Sequence, residues 1–513
     1  MGALNRRKFL KYAGAAGAAV GASALGLNYL SKPQPATPSQ ETTTATTATA
    51  TTTSPSTAIL PIITRLTYEP SKVLNSKIYD IRVDVQIADP AKRLSSVIVA
   101  LEPVAYEQAP TDAFPQEERR TALLQSVGQE KQTLSAVFSD LKGGREYDLR
   151  AGAADFSGVV DEKTSRIEYI REFENIAPLD DTAVIADYYT WYGIRDGGWT
   201  DDEGRKVHVY TPLLGQYESA DPIVISKHID WATGYGIDAF AVSWWGSDYT
   251  QTEKFENGFL RHPMANQMKF FILYENNGRL KVKNPDDPAE RWIEDLDDPF
   301  NRSRLLSDFE YLTKYFSDPQ YLRVDGKPCV RFDYTTPFRG DIQGVFGEVR
   351  SKLRSMGWEI YLINDLEGRS NYPSDLVSGA PLRWRYPNIS PAHVLQVIEN
   401  TDAIGGSGPP PGDNYKAWRD FSVMRGKGFV PVAWPGMEPS PFVYTDSSGV
   451  KLNPELLRTT LDSSIEYSTS KMTEIMSFNE WIAGHQIEPA KEYGFTYLEV
   501  LRKILSTRKA THR

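Results

Sequence analysis

The sequence is poor in cysteine, and this shortage limits the chemistry open to it. Cys329 is the only cysteine among 513 residues, so no intrachain disulfide and no thiolate metal cluster can form. It stands in the run KPCVRFDY, which is typical of a buried strand. We therefore interpret it as a small core thiol rather than a nucleophile.

Signatures of metal sites and of common hydrolases are missing as well. The six histidines form no i, i+4 pair with an acid between them, so no zinc-type site is predicted. No G-x-S-x-G nucleophile elbow occurs, and no nucleotide-sugar site is recognisable. We predict no metal and no cofactor.

Positive charge is in deficit, with 57 Lys and Arg against 67 Asp and Glu and a net charge of −10. Proteins that bind a phosphate backbone need clustered basic side chains. The field of this chain should repel nucleic acid and anionic lipid. We expect no nucleic-acid partner, and contact with a membrane only through an uncleaved N-terminal anchor.

The first residues predict export. NRRKFLK precedes a weakly apolar Ala/Gly-rich run, so residues 1–32 are interpreted as a Tat signal or an N-terminal anchor. Residues 33–58 are rich in Thr, Ser and Pro and cannot bury enough apolar surface to fold, which predicts a disordered stalk. Together these segments predict an extracellular or cell-surface protein.

Two folded regions are predicted after the stalk. Residues 59–172 alternate apolar and polar positions between turn residues, which indicates a small all-β domain. The stretch LKGGREYDLRAGAADFSG resembles the tyrosine corner of an immunoglobulin or fibronectin type III sandwich, with Tyr147 bonding back to the turn backbone. We interpret this domain as a spacer, with a sugar-binding module as the alternative.

Residues 180–508 alternate strand-like runs with amphipathic segments, as in an α/β fold. The absence of a Gly-rich phosphate loop after the first run favours a (β/α)8 TIM barrel over a doubly wound open sheet. The predicted strands are AVIADYYTWY, IDAFAVSWW, KFFILYE, PCVRFDY, EIYLIND, APLRWRY, FVPVAWPG and TEIMSFNEW.

Polar and aromatic residues collect where these runs end, which is where barrel enzymes build their sites. Carboxylates together with flat indoles suit a neutral polyhydroxylated ligand, because sugar C–H faces stack on indole and acids bind the hydroxyls. Paired acids can also cleave a glycosidic bond. The candidate substrate-binding residues are Glu275, Trp191, Tyr192, Trp244, Trp245, Asp333, Tyr334, Asn364, Asp365, Tyr386, Trp434, Glu438, Asn479 and Trp481.

Four stretches resemble glycoside hydrolase family 99, the endo-α-mannosidases, and its family-99-like relatives. They are YYTWYG, TPLLGQYESADPIVISKHIDWATGYGIDAFAVSWWG, ILYENNGR and MSFNEWIAGHQIEPA. The resemblance implies a retaining mechanism in which a Glu deprotonates the 2-hydroxyl of the substrate. That oxygen then attacks C1 and forms a 1,2-anhydro sugar. By motif, Glu480 takes the place of this base.

The family's general acid is a second Glu three residues further on, and here Ala483 stands in its place. Either another group donates the proton, or a good leaving group needs no acid, or the barrel binds glycan without cleaving it. Candidate donors are His485, Glu488, Glu438 and Asp365, with Glu488 more suited to a structural or sugar-binding role.

Other residues of the motifs keep two interpretations. Glu275 matches a family acid lining the sugar pocket but could equally pair with Arg279. Adjacent strand residues face opposite ways, so at most one of Trp244 and Trp245 is expected to meet ligand. Asp221 is expected to cap a helix, and Asn479 to brace Glu480.

The leading hypothesis is therefore an exported glycoside hydrolase acting on α-linked, mannose-type glycans. The alternative is a catalytically silent glycan-binding protein, marked by Ala483. A role in polysaccharide assembly ranks last, because an exported protein is separated from nucleotide-sugar donors.

Overall fold

The structure is a computed structural model that describes residues 59–73, 78–106, 114, 117–193, 198–201, 203–366, 373–378, 390–406, 414–440 and 449–511. The predicted export signal and stalk, residues 1–58, lie outside this range. Within the described part of the chain, none of the helices combines the length and the apolar character that crossing a membrane requires.

The N-terminal domain consists of seven antiparallel strands in two sheets. The strands are β1 (Ile62–Val73), β2 (Ile78–Ala88), β3 (Ser96–Pro103), β4 (Arg120–Gln125), β5 (Lys131–Lys142), β6 (Arg145–Asp155) and β7 (Gly158–Ile170). One sheet has the order β1-β2-β5 and the other the order β4-β3-β6-β7. Buried positions alternate with exposed ones along β5, as expected for a sheet with one face in a core.

The tyrosine predicted to tie back to its turn does so. Tyr147 lies near the start of β6, is buried, and its hydroxyl donates a 2.9 Å hydrogen bond to the carbonyl of Lys142. This bond links the strand to the turn that precedes it and satisfies a phenol that would otherwise be buried without a partner.

The second domain is built on parallel strands, as the alternating pattern predicts. Its strands and short bridges are β8 (Ala183–Tyr188), β9 (Ala239–Trp244), β10 (Lys269–Tyr274), β11 (Glu294–Asp295), β12 (Arg323–Val324), β13 (Lys327–Phe332), β14 (Phe338–Arg339), β15 (Tyr361–Asp365), β16 (Ala403–Gly405), β17 (Gly428–Phe429), β18 (Val432–Ala433) and β19 (Met472–Ile475). The main sheet has the order β17-β16-β15-β13-β10-β9-β8-β19-β18, and β12 pairs with β13.

The two ends of this sheet belong to one stretch of chain. β17 pairs with β16 and β18 pairs with β19, yet only Val430 and Pro431 separate β17 from β18. The N–H of Val430 donates to Ile404, and the carbonyl of Pro431 accepts from Glu474. Proline has no N–H to give to a ladder, which explains the interruption. The arrangement is compatible with a TIM-like barrel.

The strand that follows β15 in the sheet is not one of the eight predicted strands. The run APLRWRY, with Tyr386, which the sequence predicts as the sixth strand, lies outside the described residues. Next to β15 the sheet contains β16 instead, which has only three residues. A strand so short leaves no periodic pattern to read, whereas APLRWRY is long and aromatic.

Ten α-helices are described on this part of the chain. They are α1 (Pro222–Gly234), α2 (Thr250–Asn257), α3 (Asn276–Arg279), α4 (Pro299–Phe316), α5 (Ile342–Ser355), α6 (Pro373–Ser378), α7 (Pro391–Asn400), α8 (Asn414–Met424), α9 (Pro454–Tyr467) and α10 (Thr496–Thr511). Four begin with proline after a capping side chain, namely Asp221, Asp298, Ser390 and Asn453. The predicted cap at Asp221 is thus confirmed.

The two domains meet at α1. Asp230 on this helix is buried and accepts hydrogen bonds from the Tyr169 hydroxyl at 2.9 Å and from the Arg171 guanidinium at 3.3 Å. It also accepts from the backbone N–H groups of Glu172 at 2.6 Å and Phe173 at 3.2 Å. Four donors of the segment that leaves β7 therefore converge on one carboxylate of the second domain.

Candidate active site

Neighbouring strand ends bring two carboxyl groups together. β10 and β13 are parallel and pair Tyr274 with Phe332, so Glu275 and Asp333, the next residue of each strand, lie side by side. Both are buried, and they share a hydrogen bond. Two ionised carboxylates within hydrogen-bonding reach repel each other, so the pair retains a proton between them.

The surroundings of Glu275 hold it in one orientation. Ser243, at the end of β9, donates to Glu275 Oε1 at 2.5 Å, and the indole N–H of Trp245 donates to Ser243 Oγ at 2.9 Å. Arg279, the alternative partner expected from the sequence, instead binds Asp308 through Nε at 2.9 Å and Nη2 at 2.6 Å.

Burial dominates the protonation of this pair. It raises the pKa of Glu275 to about 7. Burial also raises the pKa of Asp333 well above its ordinary value, and the negative charges of Glu275 and Asp365 raise it further. The two carboxyl groups therefore share a proton, and Glu275 lies near the midpoint of its titration at neutral pH.

Glu480 is placed by a tight turn after β19. Its backbone N–H donates to Ser477 Oγ at 2.9 Å, and its Oε1 accepts the N–H groups of Ile482 at 2.9 Å and Ala483 at 3.1 Å. Its Oε2 is buried and has no hydrogen-bond partner among the described residues. One oxygen is thus anchored and the other is free to exchange a proton.

The environment of Glu480 favours its neutral form. Burial raises the pKa of this carboxyl to about 8 despite the two backbone N–H groups, with smaller contributions from the charges of Glu275 and Asp187. Burial likewise raises the pKa of Tyr189, and the charges of Asp187, Glu275, Glu480 and Asp333 add to the effect. These four carboxyl groups therefore share one electrostatic environment around Tyr189.

A buried arginine pairs with carboxyl groups of the strands. Arg331 in β13 bonds Asp187 at 3.0 Å, Glu474 at 2.7 Å and Asp365 at 2.9 Å. Burial lowers the pKa of Arg331, but the three carboxyl groups outweigh it and the pKa is raised overall. Burial also raises the pKa of Glu474 well above its ordinary value. One fixed positive charge thus compensates part of the negative charge around the strand ends.

Glu488, predicted as a candidate catalytic residue, is fully engaged in hydrogen bonds. Its Oε2 accepts from the Tyr217 hydroxyl and from the Trp481 indole N–H, both at 2.8 Å. Its Oε1 lies 3.1 Å from His228 Nε2. With both oxygens occupied, Glu488 holds the turn after Glu480 in position, and the Trp481 indole is directed into this network.

Asn479 braces the same turn, as expected. Its Oδ1 accepts the N–H of Tyr189 at 2.8 Å, and its Nδ2 donates to the Tyr189 carbonyl at 2.9 Å. Tyr192 accepts the backbone N–H of Trp481 at 2.8 Å through its hydroxyl. These bonds join the ends of β8 and β19, which leaves Asn479 with a supporting role.

His485 does not offer a proton at mildly acidic pH. Its Nδ1 lies 3.0 Å from Ser477 Oγ and the ring is buried. Burial lowers the pKa of His485 to about 3. The imidazole is therefore neutral over the range in which the sequence interpretation required it to act as an acid.

The two adjacent tryptophans face opposite ways, as strand geometry requires. Trp245 contacts Ser243 and packs its ring 6.1 Å from Trp191. Trp244 packs against Tyr274, at 5.6 Å, and Tyr311 of α4, at 5.9 Å, on the helix side of the sheet. Trp191 and Trp245 thus remain near the carboxyl groups, and Trp244 belongs to the packing layer.

Three further predicted binding residues contact neighbouring elements. Asn364 donates from Nδ2 to Thr401 Oγ1 at 2.7 Å. Tyr334 is buried, and its backbone adopts the left-handed conformation, with φ 46°. Its carbonyl accepts a hydrogen bond from Asn276 at 3.0 Å. Trp434 is half-buried in the loop after β18, with its backbone N–H bound to Thr460 Oγ1 at 3.0 Å.

Glu438 lies on a loop that meets the Glu480 turn. Its carboxylate accepts the Tyr210 hydroxyl at 2.5 Å, and its N–H donates to the Gly484 carbonyl at 2.8 Å. Gly484 has φ 71°, and a Cβ there would lie 2.0 Å from the Glu438 carbonyl oxygen. Only glycine allows the two segments to approach so closely.

Sequence reasoning missed three charged residues that lie inside the strands rather than at their ends: Asp187, Arg331 and Glu474. Each interrupts an otherwise apolar run, AVIADYY, PCVRFDY or TEIM. A charge inside a buried strand needs an opposite charge or a hydrogen-bond partner. This requirement is the signal by which the three residues could have been identified from the sequence.

No protein-family model and no curated protein sequence matches this chain. Two structures of the GH99 endo-α-mannosidase from Bacteroides thetaiotaomicron are similar, at 21% and 19% identity with TM-scores of 0.49 and 0.46. Each similarity covers 65% of this chain and 99% of the other. A β-glucuronidase from Ruminococcus gnavus is similar at 11% identity, with a TM-score of 0.33 over 87% of this chain and 68% of the other. At these values the function has to be argued from the side chains.

Proposed function

We propose that the protein is an exported glycoside hydrolase that cleaves α-linked, mannose-type glycans with retention of configuration. In this proposal a family-99-like (β/α)8 barrel carries the site, and the N-terminal domain is a fibronectin III-like sandwich. The observation that carries the proposal is Glu480, whose Oε1 is anchored by two backbone N–H groups and whose buried Oε2 is without a partner in the described structure.

Glu480 has the properties of a base for the 2-hydroxyl of the substrate. In the ionised form of Glu480, the free Oε2 accepts the hydroxyl proton while the 2-oxygen attacks C1 and the glycosidic bond breaks. The resulting neutral carboxyl is the form that this buried site favours, because burial raises the pKa of Glu480 to about 8. A pKa near the working pH suits a group that both takes and returns a proton.

The surrounding groups suit a sugar. The Trp245 and Trp191 rings are 6.1 Å apart, and indole rings suit stacking with the C–H faces of a sugar. Asp333 follows β13 beside Glu275, and a carboxyl group at this position can exchange a hydrogen bond with a sugar hydroxyl. Stacking and hydroxyl binding together account for recognition of a neutral glycan.

The test compares wild-type protein with Glu480→Gln on α-linked glycans and on activated aryl α-glycosides. We expect slow turnover that falls by about 10²–10⁴-fold in the variant. NMR of the first product formed should show the retained anomer. Glu294→Gln is the matched control, because burial also raises the pKa of Glu294 to about 8 and its carboxyl bonds Asn276 at 2.6 Å. Wild-type protein without turnover on the whole panel contradicts the proposal.

The second candidate is a glycan-binding protein without turnover, and Ala483 favours it. This buried alanine occupies the place where the resembled family has its acid, and its N–H serves only to anchor Glu480. A binding protein would keep its glycan affinity in Glu480→Gln, measured by calorimetry. The hydrolase proposal requires that the same change abolish turnover whether or not affinity is kept.

Export is a separate proposal that rests on Arg6 and Arg7. In the native host or a Tat-competent one, replacing both with lysine should retain the protein in the cytoplasm. Unchanged delivery of the double-lysine variant to the cell surface would contradict a Tat route and leave the hydrolase proposal untouched.

A further inference from the structure

A proton donor for the leaving oxygen is missing from the proposed reaction. The candidates drawn from the sequence are each occupied or unsuited in the structure. Glu488 accepts three hydrogen bonds, Asp365 binds Arg331, and Glu438 binds Tyr210. His485 is neutral because burial lowers its pKa to about 3.

We propose that Glu275 donates this proton, as one member of a proton-sharing carboxyl pair with Asp333. The inference rests on the proposed hydrolase function and adds a second catalytic residue to it. The pair would thus replace the acid that Ala483 does not supply, from a different strand of the sheet.

The geometry of the pair carries this inference. Glu275 and Asp333 follow paired residues of adjacent parallel strands, so their side chains leave the same sheet edge. They share a hydrogen bond, and Ser243 fixes Glu275 at 2.5 Å. The charge of Glu275 also contributes to the raised pKa of Glu480, so the pair lies near the proposed base. Burial, which raises both pKa values, keeps the proton available near neutral pH.

The charged groups that face the Glu275–Asp333 pair lie on three strands and in the turn after a fourth strand. Asp187 in β8, Asp365 in β15 and Glu480 after β19 disfavour a second negative charge, whereas Arg331 in β13 favours it. The net effect is a pair that holds one proton and resists losing it until a developing negative charge on the leaving oxygen attracts it.

The reaction balances in two steps. In the first, Glu480 removes the 2-hydroxyl proton, the 2-oxygen forms a bond to C1, the glycosidic C1–O bond breaks, and the leaving oxygen takes the proton of Glu275. In the second, Glu275 removes a proton from water, the hydroxide attacks C1, the C1–O2 bond breaks, and O2 recovers its proton from Glu480. Both groups end in their starting states, and the product retains configuration.

The experiment compares Glu275→Gln, Asp333→Asn and wild type on two groups of substrates. Aryl α-glycosides with leaving groups of decreasing acidity are followed together with an unactivated glycan. We expect Glu275→Gln to lose about 10²–10⁴-fold on the unactivated glycan but less than about 10-fold on the most activated aryl glycoside. The rate should depend on leaving-group acidity more steeply than in wild type. Asp333→Asn should show the same selectivity with a smaller loss.

Each outcome decides between explanations. An equal loss on all substrates means that Glu275 only positions the sugar, and this overturns the inference while Glu480→Gln still tests the hydrolase proposal. No turnover by wild type on any substrate overturns both. Glu294→Gln, a change at another buried carboxyl, should leave the dependence on leaving-group acidity as in wild type. If Glu275→Gln fails to fold, the slope measured for Asp333→Asn decides the question.

Discussion

Replacing Glu480 with glutamine should stabilise the folded protein. The carboxyl is buried, and its pKa is raised from 4.5 to about 8. Between these values the unfolded chain ionises Glu480 while the folded protein keeps it protonated. Wild-type stability therefore falls as the pH rises from 4.5 to 8, whereas the glutamine variant lacks this dependence.

The size of the effect follows from the pKa shift. Each unit corresponds to about 1.4 kcal/mol, so the difference between variant and wild type should grow from about 0 at pH 4.5 to at most about 4–5 kcal/mol at pH 8. Glutamine can keep the two backbone hydrogen bonds through Oε1, since these N–H groups of Ile482 and Ala483 bind one oxygen only. The comparison thus isolates the ionisation.

Tryptophan fluorescence during urea unfolding measures this quantity well. All 11 tryptophans lie between residues 180 and 508, so the signal reports the second domain alone. Glu294→Gln should show the same pH-dependent gain, because burial also raises its pKa to about 8. A variant difference that stays constant between pH 5 and 8, or a variant less stable throughout, would refute the reasoning.

Four further changes test other parts of the structure. Arg331→Met should lower the free energy of unfolding of the second domain by about 3–5 kcal/mol, because it leaves buried carboxyl groups unpaired. Arg302→Met removes an exposed pair with Glu348 and should cost less than about 1 kcal/mol in the same fluorescence assay. Asp221→Ala should cost about 1 kcal/mol through loss of the α1 cap. Tyr147→Phe should lower the stability of the tryptophan-free N-terminal domain by about 0.5–1.5 kcal/mol, followed by circular dichroism; an unchanged midpoint would contradict a role for the bond to Lys142.

Much of the fold could be predicted because the strong patterns are local. The starts of helices α1, α4 and α9 can be predicted from the sequence, because each has an Asp–Pro or Asn–Pro pair. The capping side chain and the fixed φ of proline both act within the first turn of the helix. The strand β16 could not be predicted, because three residues held by pairing with both neighbours have no pattern of their own.

The types of residue in the candidate site could be predicted from the sequence, but their arrangement could not. Strand ends rich in acids indicated where to look, and Glu275 and Asp333 do meet there. Which of Trp244 and Trp245 faces the carboxyl groups depends on strand orientation, which sequence parity leaves open. Glu480 lies beyond the strand, in a turn whose hydrogen bonds to Ser477 and Ala483 set its direction.

The hydrogen bonds to Asp230 limit where the chain can be divided into separately expressed fragments. A fragment that begins at residue 180 lacks Tyr169, Arg171 and the two backbone N–H groups, so Asp230 would lose four donors at once. The boundary suggested by the sequence pattern is therefore a poor place to divide the chain for expression. The residues that link the two domains therefore belong to the packing of the second domain and should be kept with it in any shortened version of the protein.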